Sequence, residues 1–414
     1  YGPKGTKFFD KNEWKNIRKN NIKITIIPHF IHGDDTIIMI KKKLLIVVNE
    51  SWFFVSHRLS LALYAQQNGY DVHIAANGDR KSVLKIESSG LKFHSVPFTR
   101  SSTKIVNEIS TLWSLIKLYN YVRPDIVHHV TIKPIVYGGI ASRVVSVPLV
   151  VNAISGLGFV FISTGVVSTI RKSIVSFFYK IMFNRKNVRV IFQNPDERNL
   201  LLKNNIVSSK YSYLIKGAGV DLNIFSPKDN VLKVPVVVLA ARMIWDKGVG
   251  EYIGAIKILK KRGVVAKFLL AGAVDYGYPR FIEKKQLQEW SDKGIVTWLG
   301  YCNNMHEVYQ QSSIVCLPSF YSEGIPKSLI EAAACGRPIV TTDMPGCREI
   351  VKDNFNGLLV RPKDDLSLAN ALEILINSSD LRVRYGSNSR KIAEDGFGSD
   401  KINRMTVNVY KHKQ

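Results

Sequence analysis

One segment decides the fold class of this chain: residues 319–336, SFYSEGIPKSLIEAAACG. It follows Ile314–Leu317, a short continuous apolar run that is typical of a buried parallel strand. Pro326 suits the first turn of a helix, and Gly336 suits its end. The segment therefore predicts strand, loop and helix in succession, which is the repeating unit of a doubly wound α/β sheet.

The loop and helix of this segment carry groups that suit a nucleotide diphosphate. Free backbone amides at the helix start, around Lys327 and Ser328, are a site for an anion. Glu331 lies on the second turn, where its carboxylate can accept hydrogen bonds from a ribose diol, and Glu323 lies in the loop beside Gly324. The alternative is that both glutamates are solvated surface residues.

A second segment, AARMIWDKG at residues 240–248, leaves another apolar strand and enters a helix. Arg242 and Lys247 can hold two phosphates there, arginine through its bidentate fork and lysine as a point charge. Solvated loop charges are the alternative. Ligands of doubly wound sheets bind at such strand ends, which favours the binding interpretation.

Strand-like runs alternate with helix-like segments in both halves of the chain, so we expect two Rossmann-like domains of parallel sheet that face a central cleft. The expected boundaries are 41–216 for an N-terminal domain and 217–390 for a C-terminal domain that carries both segments. Residues 1–40 are expected to be an appendage outside the fold, and residues 391–414 to pack back on the N-terminal domain. The linker is expected near Lys216–Pro227, where glycine and proline cluster.

The composition agrees with two domains and limits the classes of binding partner. The 414 residues, 46% hydrophobic and 22% charged, exceed the size of a single core and exclude a disordered chain. A formal charge of +25 favours a polyanion, an anionic membrane or a phosphorylated substrate. The four cysteines have no Cys-x-x-Cys spacing or nearby histidine cluster, so we expect reduced thiols, no metal site and a cytoplasmic protein.

The two segments together resemble the donor site of retaining glycosyltransferase family 4, which has the GT-B fold. The resemblance covers most of residues 44–400, including Gly219-Val220-Asp221 and the Pro345-Gly346 turn before Glu349. It is closest to bacterial enzymes that extend undecaprenyl-diphosphate-linked saccharides in O-antigen, capsule or N-glycan assembly. It implies a metal-independent transfer without a cofactor, which retains the anomeric configuration of a UDP-sugar. We favour UDP-N-acetylhexosamine, with UDP-galactose or another UDP-hexose next.

The resemblance also implies roles for individual residues. Arg242 and Lys247 would hold the pyrophosphate, Glu331 the ribose and Glu323 the transferred sugar. The remaining donor-binding positions would be Gly324, Ile325, Lys327 and Ser328.

The N-terminal domain departs from the family pattern. Residues 49–58, NESWFFVSHR, stand where many relatives have a Gly-Gly loop, and they resemble a subgroup in which His57-Arg58 opens the first helix. We expect His57, Arg58 and Gly156 to meet the acceptor, although a helix cap and a plain turn are the alternatives. The family's catalytic histidine position is occupied by Val130, so the adjacent His129 is a candidate, with a buried structural histidine as the alternative.

Two features concern the membrane. Val144–Ile170 lacks charge and is long enough to span a bilayer, but proline, glycine and asparagine interrupt it. Val166–Arg189 has apolar and basic residues at helical spacing, which predicts a basic amphipathic helix and peripheral binding to the inner face of the plasma membrane. A core helix with a solvated basic face is the alternative.

Two other functions stay open at this stage. A sugar-nucleotide 2-epimerase can share the two-domain architecture. A nucleic-acid-binding protein would fit the charge, but its aromatic and basic modules are absent from the sequence.

Overall fold

A computed structural model describes residues 23–27, 36–99, 105–156, 166–228, 232–321 and 324–411. Most of them belong to two parallel β-sheets of seven and six strands with helices on both faces. This architecture confirms the predicted fold class of two Rossmann-like domains.

The N-terminal sheet has the strand order β5-β4-β3-β6-β7-β8-β9, with all neighbours parallel. Its order reverses between β3 and β6, and ligands of doubly wound sheets bind at the carboxyl ends of strands at such a switch point. The strands are β3 (Lys42–Glu50), β4 (Tyr70–Asn77), β5 (Lys92–Ser95), β6 (Ile126–Val130), β7 (Leu149–Ile154), β8 (Val188–Phe192) and β9 (Ser212–Leu214).

The C-terminal sheet repeats this plan with the order β12-β11-β10-β13-β14-β15, again all parallel. Its switch point lies between β10 and β13, the two strands from which the predicted donor segments emerge. The strands are β10 (Val236–Ala240), β11 (Lys267–Ala271), β12 (Thr297–Trp298), β13 (Ile314–Leu317), β14 (Ile339–Thr342) and β15 (Gly357–Val360).

Helices connect the strands and cover both sheets. In the N-terminal half they are α1 (Ser51–His57), α2 (Leu59–Gln67), α3 (Arg80–Ser88), α4 (Ile105–Val122), α5 (Gly139–Val144), α6 (Val166–Phe183) and α7 (Pro195–Lys203), with a π-helical turn at Pro134–Gly138. In the C-terminal half they are α8 (Val249–Lys261), α9 (Lys284–Asp292), α10 (Met305–Gln310), α11 (Lys327–Ala334), α12 (Pro345–Ile350), α13 (Asp365–Asn377), α14 (Ser379–Gly396) and α15 (Ser399–Lys411).

Side chains alternate between the two faces of each sheet, so each domain has one hydrophobic core cluster on either face of its sheet. In β3, Leu44, Ile46 and Val48 pack into one cluster, while Leu45 and Val47 pack into the cluster on the other face, and all five are fully buried. Successive strand residues point to opposite faces, so a central strand covered on both sides must be apolar throughout. This burial explains why the central strands are recognisable as continuous apolar runs.

The last helix returns to the N-terminal domain. Helix α15 packs against α2 and β7, and its residues Val407 and Tyr410 join the N-terminal core. The hydroxyl of Tyr410 lies 2.6 Å from Nδ1 of His128.

Two segments differ from their sequence-based predictions. Within residues 1–40, β1 (Lys23–Ile27) and β2 (Thr36–Ile40) form an antiparallel strand pair that the polar composition did not predict. The predicted amphipathic helix to Arg189 ends at Phe183, since residues from Val188 join the sheet as β8 and Arg189 is buried there. Across the described residues, no helix is both long and apolar enough to cross a membrane.

Candidate active site between the two sheets

Backbone contacts join the loops that follow β10 and β13. The carbonyl oxygen of Asp246 accepts hydrogen bonds from the amide of Phe320 (3.2 Å) and the hydroxyl of Ser319 (3.3 Å). Gly248 has a φ of 77°, and a Cβ added there would lie 2.1 Å from the carbonyl oxygen of Pro318. Only glycine permits this approach, so the two predicted donor segments form one structure at the switch point.

Arg242 and Lys247 lie in this structure with aromatic and acidic neighbours. Arg242 forms an ion pair with Asp275, and its guanidinium lies 5.7 Å from the centre of the Tyr278 ring. The Lys247 ammonium lies 5.7 Å from the centre of the Tyr321 ring, and the side chain is 7% exposed. Both cations are therefore held at the strand ends by their surroundings.

A buried carboxylate lies between them in sequence. Asp246 is fully buried, and its Oδ1 lies 3.1 Å from Nη1 of Arg280. Burial without a cation would be costly for this carboxylate, so Arg280 ties the loop after β11 to the loop after β10.

Glu331 is held in a defined orientation on α11. Its Oε1 pairs with the ammonium of Lys327 at 3.1 Å, and its Oε2 accepts a hydrogen bond from the hydroxyl of Tyr309 at 3.3 Å. The residue is only 8% exposed. Lys327 and Ser328 are the first two residues of α11, where backbone amides have no carbonyl acceptor within the helix, so the anion site at this helix start stays a prediction.

The N-terminal domain reaches this helix start through two residues that sequence reasoning missed. The amide of Gly324 donates to the carbonyl oxygen of Ser155 (3.1 Å), and the amide of Ile325 donates to Oε1 of Gln193 (3.0 Å). Ser155 follows β7 and Gln193 follows β8. A Cβ at position 324 would lie 1.9 Å from that Gln193 oxygen, so glycine is required here.

His57 lies beside the contact between the two domains. Lys327 donates a hydrogen bond to the carbonyl oxygen of the neighbouring Ser56 at 2.7 Å. Desolvation, and then the charges of Lys327, Arg58 and Arg242, lower the pKa of His57 to about 3. The imidazole is therefore neutral at pH 7, and it is close enough to Lys327 and Arg242 for their charges to lower its pKa.

Arg58 is placed differently from its prediction. It does not open the first helix, because α1 begins at Ser51 and Arg58 forms the break between α1 and α2. Its side chain is 5% exposed, and its charge lowers the pKa of His128 after desolvation. Desolvation also lowers the pKa of Arg58 itself. The structure thus brings His57 to the cleft and turns Arg58 into the domain interior.

His129 has no accessible surface and no spare ring nitrogen. Its Nδ1 lies 2.8 Å from Oδ1 of Asn152, and its Nε2 lies 2.8 Å from the hydroxyl of Tyr119. Since an amide oxygen only accepts, Nδ1 carries the proton and Nε2 accepts from Tyr119. Burial lowers the pKa of His129 to about 4. This geometry matches the structural alternative for His129.

Of the remaining predicted residues, the structure describes Gly156 but not Glu323. Gly156 directly follows Ser155, whose carbonyl oxygen accepts the hydrogen bond from Gly324, so it lies near the contact between the domains. Its φ is 118°. Glu323 lies outside the described residues. Within the described part of the chain, no three acidic, histidine or cysteine side chains cluster in a way that would hold a metal ion.

Comparison with known proteins gives two family models that cover both domains. The model described as "Glycosyl transferases group 1" matches residues 222–392, and "Glycosyl transferase 4-like" matches residues 43–194. The residues between the two matches, 195–221, include α7 and β9 of the N-terminal domain and precede the first strand of the C-terminal sheet. Each model therefore corresponds to one domain.

Similar proteins include two that are named as transferases acting on undecaprenol-diphosphate-linked saccharides. An N,N'-diacetylbacillosaminyl-diphospho-undecaprenol α-1,3-N-acetylgalactosaminyltransferase of Campylobacter jejuni is 28% identical over 75% of this chain and 83% of its own length. A UDP-Gal:α-D-GlcNAc-diphosphoundecaprenol α-1,3-galactosyltransferase of Escherichia coli is 25% identical over 77% of this chain and 84% of its own length.

Among solved structures, Anabaena HepE in complex with UDP and glucose superposes with a TM-score of 0.71 at 18% identity, covering 90% of this chain and all of that one. At this identity the superposition shows a shared fold and nothing more. Together with the two family models, it shows that the chain belongs to the GT4-type glycosyltransferases of the GT-B fold.

Proposed function

We propose that this enzyme transfers an N-acetylhexosamine from a UDP-sugar to a lipid-diphosphate-linked saccharide, with retention of the anomeric configuration and without a metal ion. The observation that carries the proposal is the joining of the β10 and β13 loops through Asp246, Ser319 and Phe320. That joining brings Arg242 and Lys247 to the same switch point as the start of α11.

The proposed chemistry needs stabilisation of the departing diphosphate. Negative charge grows on it as the bond to the anomeric carbon breaks, and preorganised cations and helix amides stabilise such charge most effectively. Arg242, Lys247 and the amides of Lys327 and Ser328 would supply this stabilisation. Glu331, held by Tyr309, would accept hydrogen bonds from the ribose, and Glu323 would contact the transferred sugar.

The similar proteins support the donor and acceptor classes. The Campylobacter relative is named for transfer of N-acetylgalactosamine, and both it and the Escherichia coli relative are named for undecaprenol-diphosphate-linked acceptors. We propose the same class of acceptor here, and a peripheral position on the inner face of the plasma membrane, where such an acceptor is met.

A donor panel tests the proposal. The purified enzyme is incubated with UDP-GlcNAc, UDP-GalNAc and UDP-Gal, each with and without an undecaprenyl-diphosphate saccharide, in the presence of EDTA. We expect release of UDP and an extended lipid with one N-acetylhexosamine donor, and an α-linked product by NMR. Transfer from UDP-Gal alone would replace the proposed donor, and a β-linked product would contradict retention.

The same panel separates the transferase from the 2-epimerase alternative. An epimerase would release nucleotide or interconvert sugars without any acceptor. Acceptor-independent epimerisation, or loss of activity in EDTA that added Mg²⁺ restores, would contradict the proposed reaction.

A further inference from the structure

The turn that follows β6 has two unusual backbone features. Thr131 comes directly after the strand and has a φ of 75°. A β-branched residue in this left-handed region is strained, and such strain collects at binding and catalytic sites. The π-helical turn Pro134–Gly138 follows, and single π-helical turns are also frequent at functional sites. Residues 131–138, called the β6 turn below, therefore have a conformation that the surrounding fold must enforce.

His129 and Tyr119 support the β6 turn. A Cβ added to Gly138 would lie 2.4 Å from Nε2 of His129 and 2.9 Å from the hydroxyl of Tyr119. Glycine is therefore required where the π-helical turn packs on this hydrogen-bonded pair. The pair fixes the turn, which gives the fully buried His129 a positioning role.

Three buried polar atoms near the β6 turn have no hydrogen-bond partner among the described residues. They are Oγ1 of Thr131, Oδ1 of Asn49 and Oγ1 of Thr99. Buried polar groups are nearly always paired in folded proteins, so unpaired ones need an explanation. A ligand that exchanges hydrogen bonds with all three would supply it, provided that the three atoms lie together.

The sheet register places two of these residues side by side. Val47 pairs with His129 across the neighbouring strands β3 and β6. Asn49 and Thr131 each stand two residues further along, at the carboxyl ends of the two strands. The register between β3 and β4 shifts between Val47 and Glu50, which marks a β-bulge around Asn49. Bulges redirect a side chain and are common next to active sites.

Thr99 belongs to the same place, and the charges there compensate one another. The ammonium of Lys133, in the β6 turn, donates to the carbonyl oxygen of Thr99 and to Oε1 of Glu108, at 2.7 Å each. Burial and then a hydrogen bond with Glu108 raise the pKa of the neighbouring Tyr137. A cation that is paired with a carboxylate attracts a phosphate only weakly. The place therefore suits a neutral ligand with hydroxyl or amide groups.

The β6 turn lies between the two contacts that join the domains at the start of α11. In the sheet, β6 stands between β3 and β7. On the β3 side, Ser56 of α1 accepts a hydrogen bond from Lys327. On the β7 side, Ser155 accepts one from Gly324. The turn after the middle strand is therefore close to the helix start at which the donor diphosphate is proposed to bind.

We propose that Thr131, Asn49 and Thr99 bind the terminal sugar of the acceptor saccharide and select it by its hydroxyl and acetamido groups. The Asn49 oxygen accepts from an O–H or N–H group, and threonine hydroxyls both donate and accept. A sugar ring offers such groups on several carbons without carrying a charge. This assignment rests on the proposed function and adds to it the residues that recognise the acceptor.

The reaction requires the terminal sugar at this place. One of its hydroxyl oxygens bonds to the anomeric carbon of the donor, the bond from that carbon to UDP breaks, and the hydroxyl proton passes to UDP. The attacking hydroxyl must therefore be held next to the departing diphosphate. Residues that hold the other polar groups of the same sugar set both its orientation and the choice of acceptor.

Kinetics with an undecaprenyl-diphosphate saccharide test the assignment through Thr131→Val, which replaces a hydroxyl by a methyl group and keeps the β-branched shape. We expect the KM for the acceptor to rise about 5- to 10-fold, which is the usual effect of losing one hydrogen bond between neutral groups. The KM for the UDP-sugar and the Kd for UDP should not change. Thr297→Val makes the same change at an exposed position of β12 and should alter the acceptor KM by less than about twofold.

Acceptor analogues that lack one hydroxyl or the acetamido group identify the contact. One analogue should lose as much on the wild type as the full acceptor loses on Thr131→Val, and these two losses should not add. Losses that add for every analogue would overturn the assignment, as would an unchanged acceptor KM in Thr131→Val. An equal rise in the donor KM would also overturn it, because the residues would then bind the transferred sugar.

Binding without turnover separates this site from the reaction. Saturation-transfer NMR measures the methyl α-glycosides of GlcNAc and GalNAc on enzyme that is saturated with UDP. We expect one of them to bind wild type and Thr297→Val alike, and Thr131→Val about 5- to 10-fold more weakly. If this holds while no acceptor is extended, the proposed function is wrong and the site stands. If acceptors are extended but Thr131→Val changes neither binding nor acceptor KM, the site is wrong and the function stands.

A second variant guards against a folding defect. Thr131→Val should have the thermal unfolding curve of the wild type, because valine keeps the shape of the strained residue. Thr99→Val removes another of the three unpaired atoms at a position without a positive φ, and it should weaken the same glycoside and raise the same KM. Normal glycoside binding and acceptor KM in a folded Thr99→Val would remove Thr99 from the site and contradict the assignment as proposed.

Discussion

The amide of Ile325 donates a hydrogen bond to Oε1 of Gln193, 3.0 Å away in the other domain. The neighbouring Gly324 makes the same kind of bond to Ser155, and no other residue than glycine fits against Gln193 at this point. The loop that precedes α11 is thus positioned by the N-terminal domain. Closure of the two domains and ordering of this loop at the proposed donor site therefore depend on one another.

Gly324→Ala is expected to lower turnover at least tenfold, because the new methyl group would overlap with Gln193 and separate the domains; overpacking of this kind costs roughly 1–3 kcal/mol. The double variant Gly324→Ala with Gln193→Ala should recover part of the lost turnover, since it removes the two nearest atoms and the next one, the Ser155 carbonyl carbon, lies at 3.2 Å. Gly396→Ala is the control, because no atom lies within 4 Å of the added Cβ. Additive losses in the double variant would show that the overlap is not the cause.

Glu331→Gln is expected to weaken UDP binding roughly 10-fold or more, since a hydrogen bond to a charged group contributes about 1.5–3 kcal/mol. Calorimetry with UDP and with its 2′,3′-dideoxy analogue distinguishes the role. If Glu331 binds the ribose diol, the analogue should bind wild type and variant alike. An equal loss of affinity for both nucleotides would mean that Glu331 instead holds Lys327 and Tyr309 in place.

Replacing Arg242 or Lys247 by alanine is expected to weaken UDP binding more than UMP binding and to lower turnover further still, because both cations are proposed to act on the second phosphate. Lys257→Ala controls for the change in net charge. Equal losses for UMP and UDP would indicate that the substitution disturbs the fold, and Arg242→Ala would do so by removing the ion pair with Asp275.

Acid should destabilise the N-terminal domain through its buried histidines. The pKa of His129 in the folded state, about 4, is below its unfolded value near 6.5, so the unfolded chain binds the extra proton first. The stabilisation is complete above pH 6.5 and is lost as the pH falls towards 4, by up to about 3 kcal/mol. Urea unfolding at several pH values should show a shallower acid loss in His129→Gln. A variant whose folded fraction keeps normal turnover would agree with the structural role of His129, and a selective loss of turnover would contradict it.

Much of this architecture was predictable, for reasons visible in particular strands. Ile314–Leu317 was predicted with its observed bounds because a strand that is buried on both faces must be continuously apolar. Val188–Phe192 was missed, since a short apolar run after a helix continues the helical pattern as well as it begins a strand. The Gln193–Ile325 bond was not predictable, because it joins residues 132 positions apart and no local pattern records such a contact.

The last prediction uses His57 as a reporter of the assembled cleft. Its pKa of about 3 results from desolvation and then from the positive charges of Lys327, Arg58 and Arg242. UDP bound between Lys327 and Arg242 would place negative charge beside these cations and raise the pKa of His57. Lys327→Met should raise it without ligand, because one of the cations is removed, whereas Lys257→Met should not change it. NMR titration of the histidine ring protons measures each shift. A His57 pKa that stays the same when UDP saturates the protein would place the diphosphate away from Lys327 and Arg242, and the proposed donor site would be wrong even if turnover remained.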